Sequence, residues 1–323
     1  MDGRTPFEIG QSQDVVVTTV HALPGESSVI LPKDGDFLRA DFAREGFDLI
    51  LDTGADGTVV IPDYFLRLSP PDLHTEDGAV LPHHIVRSMA GPMAPGQVAQ
   101  IGFGGPSAAQ TGVGLGAPIG SISDAQGAVT VVHPDGTEAM LVTGDPIFQG
   151  DVMVTGSDGS VSVIFVDDTV FSLDVDGRMI MDEMVYDPDT ETGTFNTMVV
   201  QGVFSFVSGK VAKTSPDGMI VNTPTATIGI RGSTVLGDAT NYKVALVRDV
   251  DGNVGEIVVS NGAGQLVLNQ AGASTTVLSS TAAPGPVQIL SQAEIQSSYG
   301  GSLTRLVKAV AKQAEKKAEQ AQD

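Results

Sequence analysis

Asp-Gly dipeptides recur along the whole sequence, and their placement limits the folds open to the chain. Asp-Gly tolerates the positive φ angles of hairpin turns. Most of these dipeptides lie between runs rich in valine and threonine, and "SVSVIF" alternates with the two-residue period of a strand. Their aspartates are Asp2, Asp34, Asp56, Asp77, Asp135, Asp158, Asp176, Asp217 and Asp251, and Asn261-Gly262 is an equivalent turn. The pattern predicts an all-β, hairpin-rich protein: a β-sandwich, a roll or a short β-solenoid.

Two segments depart from this hairpin pattern. Residues 66–117 are rich in Pro, Gly, Ala and Gln, which predicts a linker between an N-terminal β segment (1–65) and a larger β domain (118–290). Residues 302–322 contain no Gly or Pro, and their apolar residues recur at helical spacing. This spacing predicts one C-terminal α-helix with Ser302 as its N-cap.

The composition narrows the classes of function. Lys and Arg number 17 against 39 Asp and Glu, a formal net charge of −22. Such a surface repels phosphate backbones and anionic membranes, so we expect neither nucleic acid as a partner nor direct membrane insertion. The absence of cysteine excludes disulfides, zinc–thiolate sites and thiol catalysis. No run approaches the roughly 18 apolar residues of a membrane helix, and no secretory signal is visible at the start.

The stretch "FDLILDTGADGTVVIP" (47–62) contains the candidate catalytic residue, Asp52. An Asp-Thr-Gly after apolar residues is typical of the catalytic strand of a retropepsin-type aspartic protease. Such an enzyme needs two carboxylates that share one proton, so one Asp-Thr-Gly per chain requires a homodimer. "IGFGG" (101–105) and "LVTGD" (141–145) are the candidates for its flap and second segment. Asp, Thr and Gly are also common turn residues, so the sequence favours a hairpin turn, with the protease as the alternative.

A second alternative is a calcium-stabilised, adhesin-type protein. Asp249, Asp251 and Asn253 in "DVDGNVGE" resemble the first half of a calcium-binding loop. The twelfth position of that loop is Ser260 instead of the glutamate that an EF-hand requires. The sequence therefore favours a hairpin turn without a resident cofactor, and calcium stays open.

Three of the five histidines, His74, His83 and His84, fall in the Pro-rich segment. Two adjacent histidines on a loop do not converge on a metal ion by themselves. We therefore expect an exposed loop there and not a metal site. No Ser-His-Asp arrangement for nucleophilic catalysis can be argued from the remaining histidines.

After the predicted linker, the order of motifs resembles that of a FecR-like domain. Gly144-Asp145 and Gly150-Asp151 match the paired Gly-Asp stretch of that family, and "FVDDT" (165–169) matches its next strand. "VNTPTATIGIRGSTV" (221–235) matches its most specific motif, with Ser233 in place of the usual Thr. The residues of this signature are Thr223, Pro224, Ala226, Gly229, Arg231 and Gly232.

The resemblance implies a non-catalytic binding, assembly or sensing module at the bacterial cell envelope or in the extracellular space. Similar FecR-like segments stand at the start of large secreted bacterial proteins, which implies a periplasmic or extracellular location, with type I secretion as one candidate route. A protein partner is expected, docking by strand addition at exposed strand edges. Arg231 is expected to pair with a carboxylate or with backbone carbonyls, because a buried arginine without a partner is very costly.

Overall fold

The structure is a computed structural model, and it confirms an all-β protein with one long C-terminal helix. Its layers are an N-terminal unit, two stacked nine-stranded sheets and the C-terminal helix. The residues that the structure describes are 17–22, 25–33, 36–92, 115–215, 217–249 and 252–320.

The N-terminal unit comprises the described residues up to position 92 and contains two small sheets and a helix. Its elements are β1 (Val17–Thr19), β2 (Ser28–Ile30), β3 (Asp41–Glu45), β4 (Asp48–Asp52), β5 (Thr58–Ile61), β6 (Asp72–His74), β7 (Val80–Leu81) and α1 (His83–Ala90), with 3-10 turns at Gly54–Asp56 and Tyr64–Leu66. The strand orders are β1-β5-β4-β3 and β2-β6-β7. Both sheets and the helix share one apolar core.

The composition of residues 66–92 predicts a linker, but in the structure these residues form packed strands and a helix. They form β6, β7 and α1, and Leu73, Leu81 and Ile85 are buried. Prolines separate these short elements, as at Pro82, the N-cap of α1. Because prolines break the chain between these short elements, the segment has the same amino-acid composition as a linker. Residues 93–114 of the predicted linker lie outside the described residues.

The front sheet is the nine-stranded sheet that faces the N-terminal unit. Its strands are β9 (Val129–Val132), β10 (Glu138–Met140), β12 (Val152–Thr155), β15 (Arg178–Asp187), β16 (Thr192–Gln201), β18 (Met219–Asn222), β19 (Thr227–Arg231), β22 (Glu256–Asn261) and β23 (Gly264–Leu268). Their order is β10-β9-β12-β15-β16-β18-β19-β22-β23. Neighbouring strands are antiparallel except for the parallel pair β16 and β18.

The back sheet is the nine-stranded sheet that faces the C-terminal helix. Its strands are β8 (Gly120–Gln126), β11 (Pro146–Ile147), β13 (Ser160–Phe165), β14 (Val170–Leu173), β17 (Val203–Val207), β20 (Thr234–Asp238), β21 (Lys243–Val247), β24 (Ala273–Thr276) and β25 (Gln288–Ile289). Their order is β11-β8-β13-β14-β17-β20-β21-β24-β25. The chain changes sheet after every one or two strands, which builds a sandwich. A short helix, α2 (Val211–Thr214), follows β17.

Alternate residues of the same strand enter different cores. In β15, Met179 and Met181 face the core between the two sheets, whereas Ile180 faces the N-terminal unit. In β16, Val199 faces the sandwich core and Met198 faces the N-terminal unit. Because both faces of these strands are covered, their sequences read as continuous apolar runs.

The C-terminal helix, α3 (Gln292–Gln320), begins ten residues before the predicted start, so the prediction of Ser302 as its N-cap is wrong. Ser291 and Glu294 form a reciprocal capping box: the Ser291 amide donates to Glu294 Oε2 at 2.7 Å, and the Glu294 amide donates to Ser291 Oγ at 3.3 Å. Ser302 lies buried inside the helix. Gly300-Gly301 interrupts the helical pattern in the sequence, because glycine disfavours helix interiors.

The helix lies on the outer face of the back sheet, where Tyr299, Leu306 and Ala309 are buried. The predicted helical spacing of this segment is confirmed by the apolar stripe that it buries. Among the described residues, no helix is long and apolar enough to cross a membrane.

Candidate functional site

The Thr-Pro-x-Ala part of the FecR-like signature (223–226) folds as the tight turn between β18 and β19, the signature turn. Thr223 closes this turn: its amide donates to the Ala226 carbonyl at 2.8 Å, and its Oγ1 accepts from the Ala226 amide at 3.1 Å. Pro224 fixes its own φ angle and holds the preceding residue extended. The Thr-Pro-x-Ala motif is thus a turn that closes on itself through a side chain.

The same turn joins the N-terminal unit to the sandwich. The Val80 amide of β7 donates to the Pro224 carbonyl at 2.7 Å. A second link lies nearby, where the Ser280 amide donates to the Gly78 carbonyl at 2.8 Å. The Asn261 side chain donates to the carbonyl of Ser279 at 3.0 Å and so fixes the segment that makes this second link.

Beside the signature turn, the N-terminal unit and the front sheet leave a cleft of about 400 Å³, the junction cleft. Residues of β7 and α1 line one side, and the outer faces of β15, β16, β18 and β19 line the other. Val80, Ile85 and Met198 give it apolar walls. Its volume lies in the range of small-molecule sites.

A chain of hydrogen bonds, the polar chain, crosses four strands along the floor of the cleft. Thr227 Oγ1 donates to Asn222 Oδ1 at 2.8 Å, and Asn222 Nδ2 donates to Asn196 Oδ1 at 2.8 Å. Asn196 Nδ2 then donates to Asp182 Oδ2 at 3.1 Å. The carboxylate can only accept, so it fixes the orientation of both amides. Every donor of the polar chain therefore points towards Asp182.

Thr225 adds an unpaired hydroxyl to the lining. The residue is 2% exposed, and within the described part of the chain its Oγ1 has no hydrogen-bond partner. A buried polar group without a partner costs about 1–3 kcal/mol. Such a group is uncommon in folded proteins, and here it lines a cleft that has room for a partner.

Residues 151–263 match the family model described as "FecR protein". They form a FecR domain. The family that the signature indicates is therefore confirmed. The domain runs from β12 to β22 and contains the signature turn and the whole polar chain.

Three solved structures are similar to parts of the chain. A cell surface anchoring domain is 43% identical over 20% of this chain and 83% of its own, with a TM-score of 0.19. Two crystal structures of a candidate anti-sigma factor from Parabacteroides distasonis ATCC 8503 are 15% and 16% identical over 46% and 45% of this chain, with TM-scores of 0.33 and 0.31. This chain spans 63% and 60% of their length. No curated protein matches it.

Arg231 of the FecR domain pairs with two carboxylates, as the sequence predicts. Its Nη1 donates to Glu256 Oε1 at 2.9 Å and its Nη2 to Asp217 Oδ1 at 3.2 Å. The hydrogen bond to Asp217 raises the pKa of Arg231, and the bond to Glu256 adds to the effect. Gly232 has a φ of +68°, which favours glycine. A larger residue at Gly229 would have room for its side chain, and nothing in the structure explains why glycine stands there.

Asp52 lies at the end of β4, in the hairpin turn that the sequence favours. Its Oδ1 accepts from the Gly54 amide at 2.8 Å, and Asp52 itself pairs with Thr58 of β5. The candidate second segment, 141–145, is hydrogen-bonded to β8 and β9 instead, as when the Gly144 amide donates to the Ile122 carbonyl. The candidate flap, 101–105, lies outside the described residues.

The candidate calcium residues form a short turn after β21. The Asp249 amide donates to the Asn253 carbonyl at 2.9 Å, and Asp249 Oδ1 accepts from Thr234 Oγ1 at 2.5 Å. Asp251 lies outside the described residues. Elsewhere in the described part of the chain, no group of three His, Asp or Glu side chains is placed to hold a metal ion.

The three clustered histidines lie on regular elements and not on an exposed loop. His74 is in β6, and His83 begins α1, where its Nδ1 lies 3.1 Å from Asp72 Oδ1. His84 lines the junction cleft, with its Nε2 3.7 Å from Asp182 Oδ2. No pattern in the sequence indicates that His84 and Asp182, which lie far apart along the chain, meet in the fold.

Proposed function

We propose that this chain is a non-catalytic sensing module of the bacterial cell envelope or the extracellular space, and that the junction cleft binds its signal. The observation that carries the proposal is the cleft beside the signature turn. There an oriented polar chain and the unpartnered hydroxyl of Thr225 line a volume of about 400 Å³. The FecR match supports the sensing role.

The position of the cleft supports sensing over simple storage of a ligand. A ligand there contacts α1 on one side and the FecR domain on the other. Such a ligand binds more tightly when the N-terminal unit and the FecR domain are docked than when they are separated. This difference in affinity shifts the population of molecules towards the docked arrangement. The hydrogen bond from Val80 to Pro224 lies at the same junction, so the signature turn belongs to the arrangement that a bound ligand stabilises.

A protein partner is part of the proposal, and β23 is its docking strand. Among the described edge strands of the two large sheets, β23 is the longest at five residues and carries no charge. The opposite edge, β10, has three residues and includes Glu138. Short, charged edges resist strand addition, whereas a longer neutral edge permits it.

Two glycines of the front sheet provide a matched test: Gly262 in the turn between β22 and β23, and Gly229 in β19. A side chain added at Gly262 meets nothing closer than the Ser280 carbonyl at 3.7 Å, and Gly262 lines the cleft. A side chain added at Gly229, outside the cleft, meets nothing closer than 3.9 Å. Both positions therefore accept a Cβ atom without a close contact, and only Gly262 lines the cleft, where we expect a tyrosine to occupy it.

The experiment is capture of envelope components on immobilised protein, with wild type, Gly262→Tyr and Gly229→Tyr side by side. We expect Gly262→Tyr to lose the captured component and Gly229→Tyr to retain it. Equal capture by all three proteins contradicts the role of the cleft. If only Gly229→Tyr loses capture, the binding surface lies on the open part of the front sheet instead of in the cleft.

A further inference from the structure

Asp182 differs from three other half-buried carboxylates, which have a Lys or Arg beside them. Asp124, Asp168 and Asp174 have side chains that are 18%, 26% and 19% exposed, and each has a Lys or Arg nitrogen within 4 Å. The Asp182 side chain is 32% exposed, and the only basic side chain that close to it in the described structure is His84, at 3.7 Å. Asp182 thus lacks the permanent cation that these three carboxylates have.

The cleft around Asp182 is suited to a cation. No Lys or Arg is present among the described residues that line it. The polar chain brings a single donor to the carboxylate, the amide of Asn196. An ionised carboxylate has about four acceptor sites, so most of its acceptor capacity is free for a ligand.

The lining favours an organic cation over a metal ion. A hard cation such as Ca²⁺ needs six to eight oxygen ligands, and the side-chain oxygens of Asn196 and Asn222 already accept hydrogen bonds. An ammonium group instead brings three donors of its own. The apolar side chains of Val80, Ile85 and Met198 can cover a methylene stem.

We propose that the junction cleft binds a primary alkylammonium group, with Asp182 as its counter-ion. This inference rests on the proposed function, because it names the ligand class of the same site. Two sources carry this chemistry: a free diamine or polyamine, and a lysine side chain on a partner protein. Both are charged near neutral pH, since the pKa of a lysine ammonium is about 10.4.

The test is calorimetric titration of the full chain with three probes. They are 1,5-diaminopentane, an N-acetylated and C-amidated lysine peptide, and the same peptide with its ε-amine acetylated. The variants are Asp182→Asn, which keeps an acceptor for Asn196, and Asp189→Asn, which removes an equal charge from an exposed position on the neighbouring turn.

We expect wild type and Asp189→Asn to bind an amine probe, and Asp182→Asn to bind it at least tenfold more weakly. Binding of the lysine peptide alone identifies a partner's side chain as the source, and binding of the diamine identifies a free amine. Absence of amine binding, equal binding of the acetylated peptide, or unchanged affinity in Asp182→Asn overturns the inference. If envelope capture still depends on Gly262 in that case, the proposed function stands and the ligand class fails.

Discussion

The two outer faces of the β-sandwich are covered in different ways. On the front sheet, Val152, Ile180, Met198 and Val200 enter the apolar core of the N-terminal unit. On the back sheet, α3 buries a narrow stripe around Leu306. It also packs Tyr299 into a second apolar cluster and forms the ion pairs Arg305–Asp174, Lys308–Asp124 and Lys317–Asp168.

This difference supports placing the proposed ligand site on the front face. The basic residues of α3 supply cations to three carboxylates beside the back sheet. The front face is closed by apolar packing that stops at the signature turn. The junction cleft lies beyond the edge of this apolar packing. There the polar chain ends at Asp182, whose carboxylate accepts one hydrogen bond from the chain.

The largest expected effect is that of a charge buried under the N-terminal unit. Ile180→Asp places a carboxylate in a fully covered apolar site, and an uncompensated buried charge costs about 3–5 kcal/mol. Ile220→Asp puts the same charge on the uncovered part of the same sheet face, where we expect a cost of about 1 kcal/mol or less. Urea unfolding measures both. Equal losses would show that the N-terminal unit does not cover β15.

The next largest effect distinguishes the two elements that cover the sandwich, the N-terminal unit on the front sheet and α3 on the back sheet. Leu306→Ala and Ile85→Ala each leave a cavity that costs about 2–5 kcal/mol, on the back and front faces respectively. In hydrogen exchange, we expect Leu306→Ala to expose the amides of α3 and to leave those of β7 protected. Ile85→Ala should do the reverse. Loss of protection in both places from either variant contradicts two independent coverings.

Acid should loosen the back face before the front. Burial raises the pKa of Asp124, but hydrogen bonds from Lys308 and Gln126 outweigh it, so the pKa lies below its usual value. The unfolded value is about 3.9, so the stabilisation is present above about pH 4 and disappears as the pH falls through the folded-state pKa. Exchange of the α3 amides should rise in that window, and Asp124→Asn should remove the rise. Identical pH profiles in both proteins would contradict this role.

A small effect is expected at Asp52, which lies exposed at a turn of the N-terminal unit. Its carboxylate binds the amide of its own turn, so Asp52→Asn should change stability by about 0.5 kcal/mol or less. Neither protein should cleave an unfolded substrate. Cleavage that disappears in Asp52→Asn would instead establish the homodimeric protease.

The smallest effect is expected from calcium. A ligand that binds only the folded state raises its melting temperature, and Asp249 already accepts from Thr234. We therefore expect the same melting temperature with calcium or with a chelator. A rise with calcium that Asp249→Ala abolishes would support the calcium-stabilised alternative.

Much of the fold could be predicted because its signals are local. The Asp-Gly turns are one example: Asp176 adopts a φ of 51° between β14 and β15. The partner of Arg231 was predictable only as a carboxylate or a backbone carbonyl, since Asp217 and Glu256 come from other elements. The packing of residues 66–92 was missed because prolines that separate short elements resemble those of a linker.

The junction cleft could not be predicted because its residues meet only in the folded chain. Asp182, Asn196 and Asn222 each interrupt an apolar strand with a polar residue, and this signal was present in the sequence. This signal marks positions that face outwards. It does not show that the three side chains lie side by side, which depends on the parallel pairing of β16 with β18. The contribution of His84 depends on how the N-terminal unit docks.

The most direct test of the account is photo-crosslinking in the host cells. A photoreactive residue replaces Gly262 in one strain and Gly229 in another, and the cells are fractionated after illumination. We predict a crosslinked product in the envelope fraction or the medium from position 262 and none from position 229. Equal products from both positions, or recovery of the protein from the cytosol alone, would contradict a sensing cleft at the cell envelope.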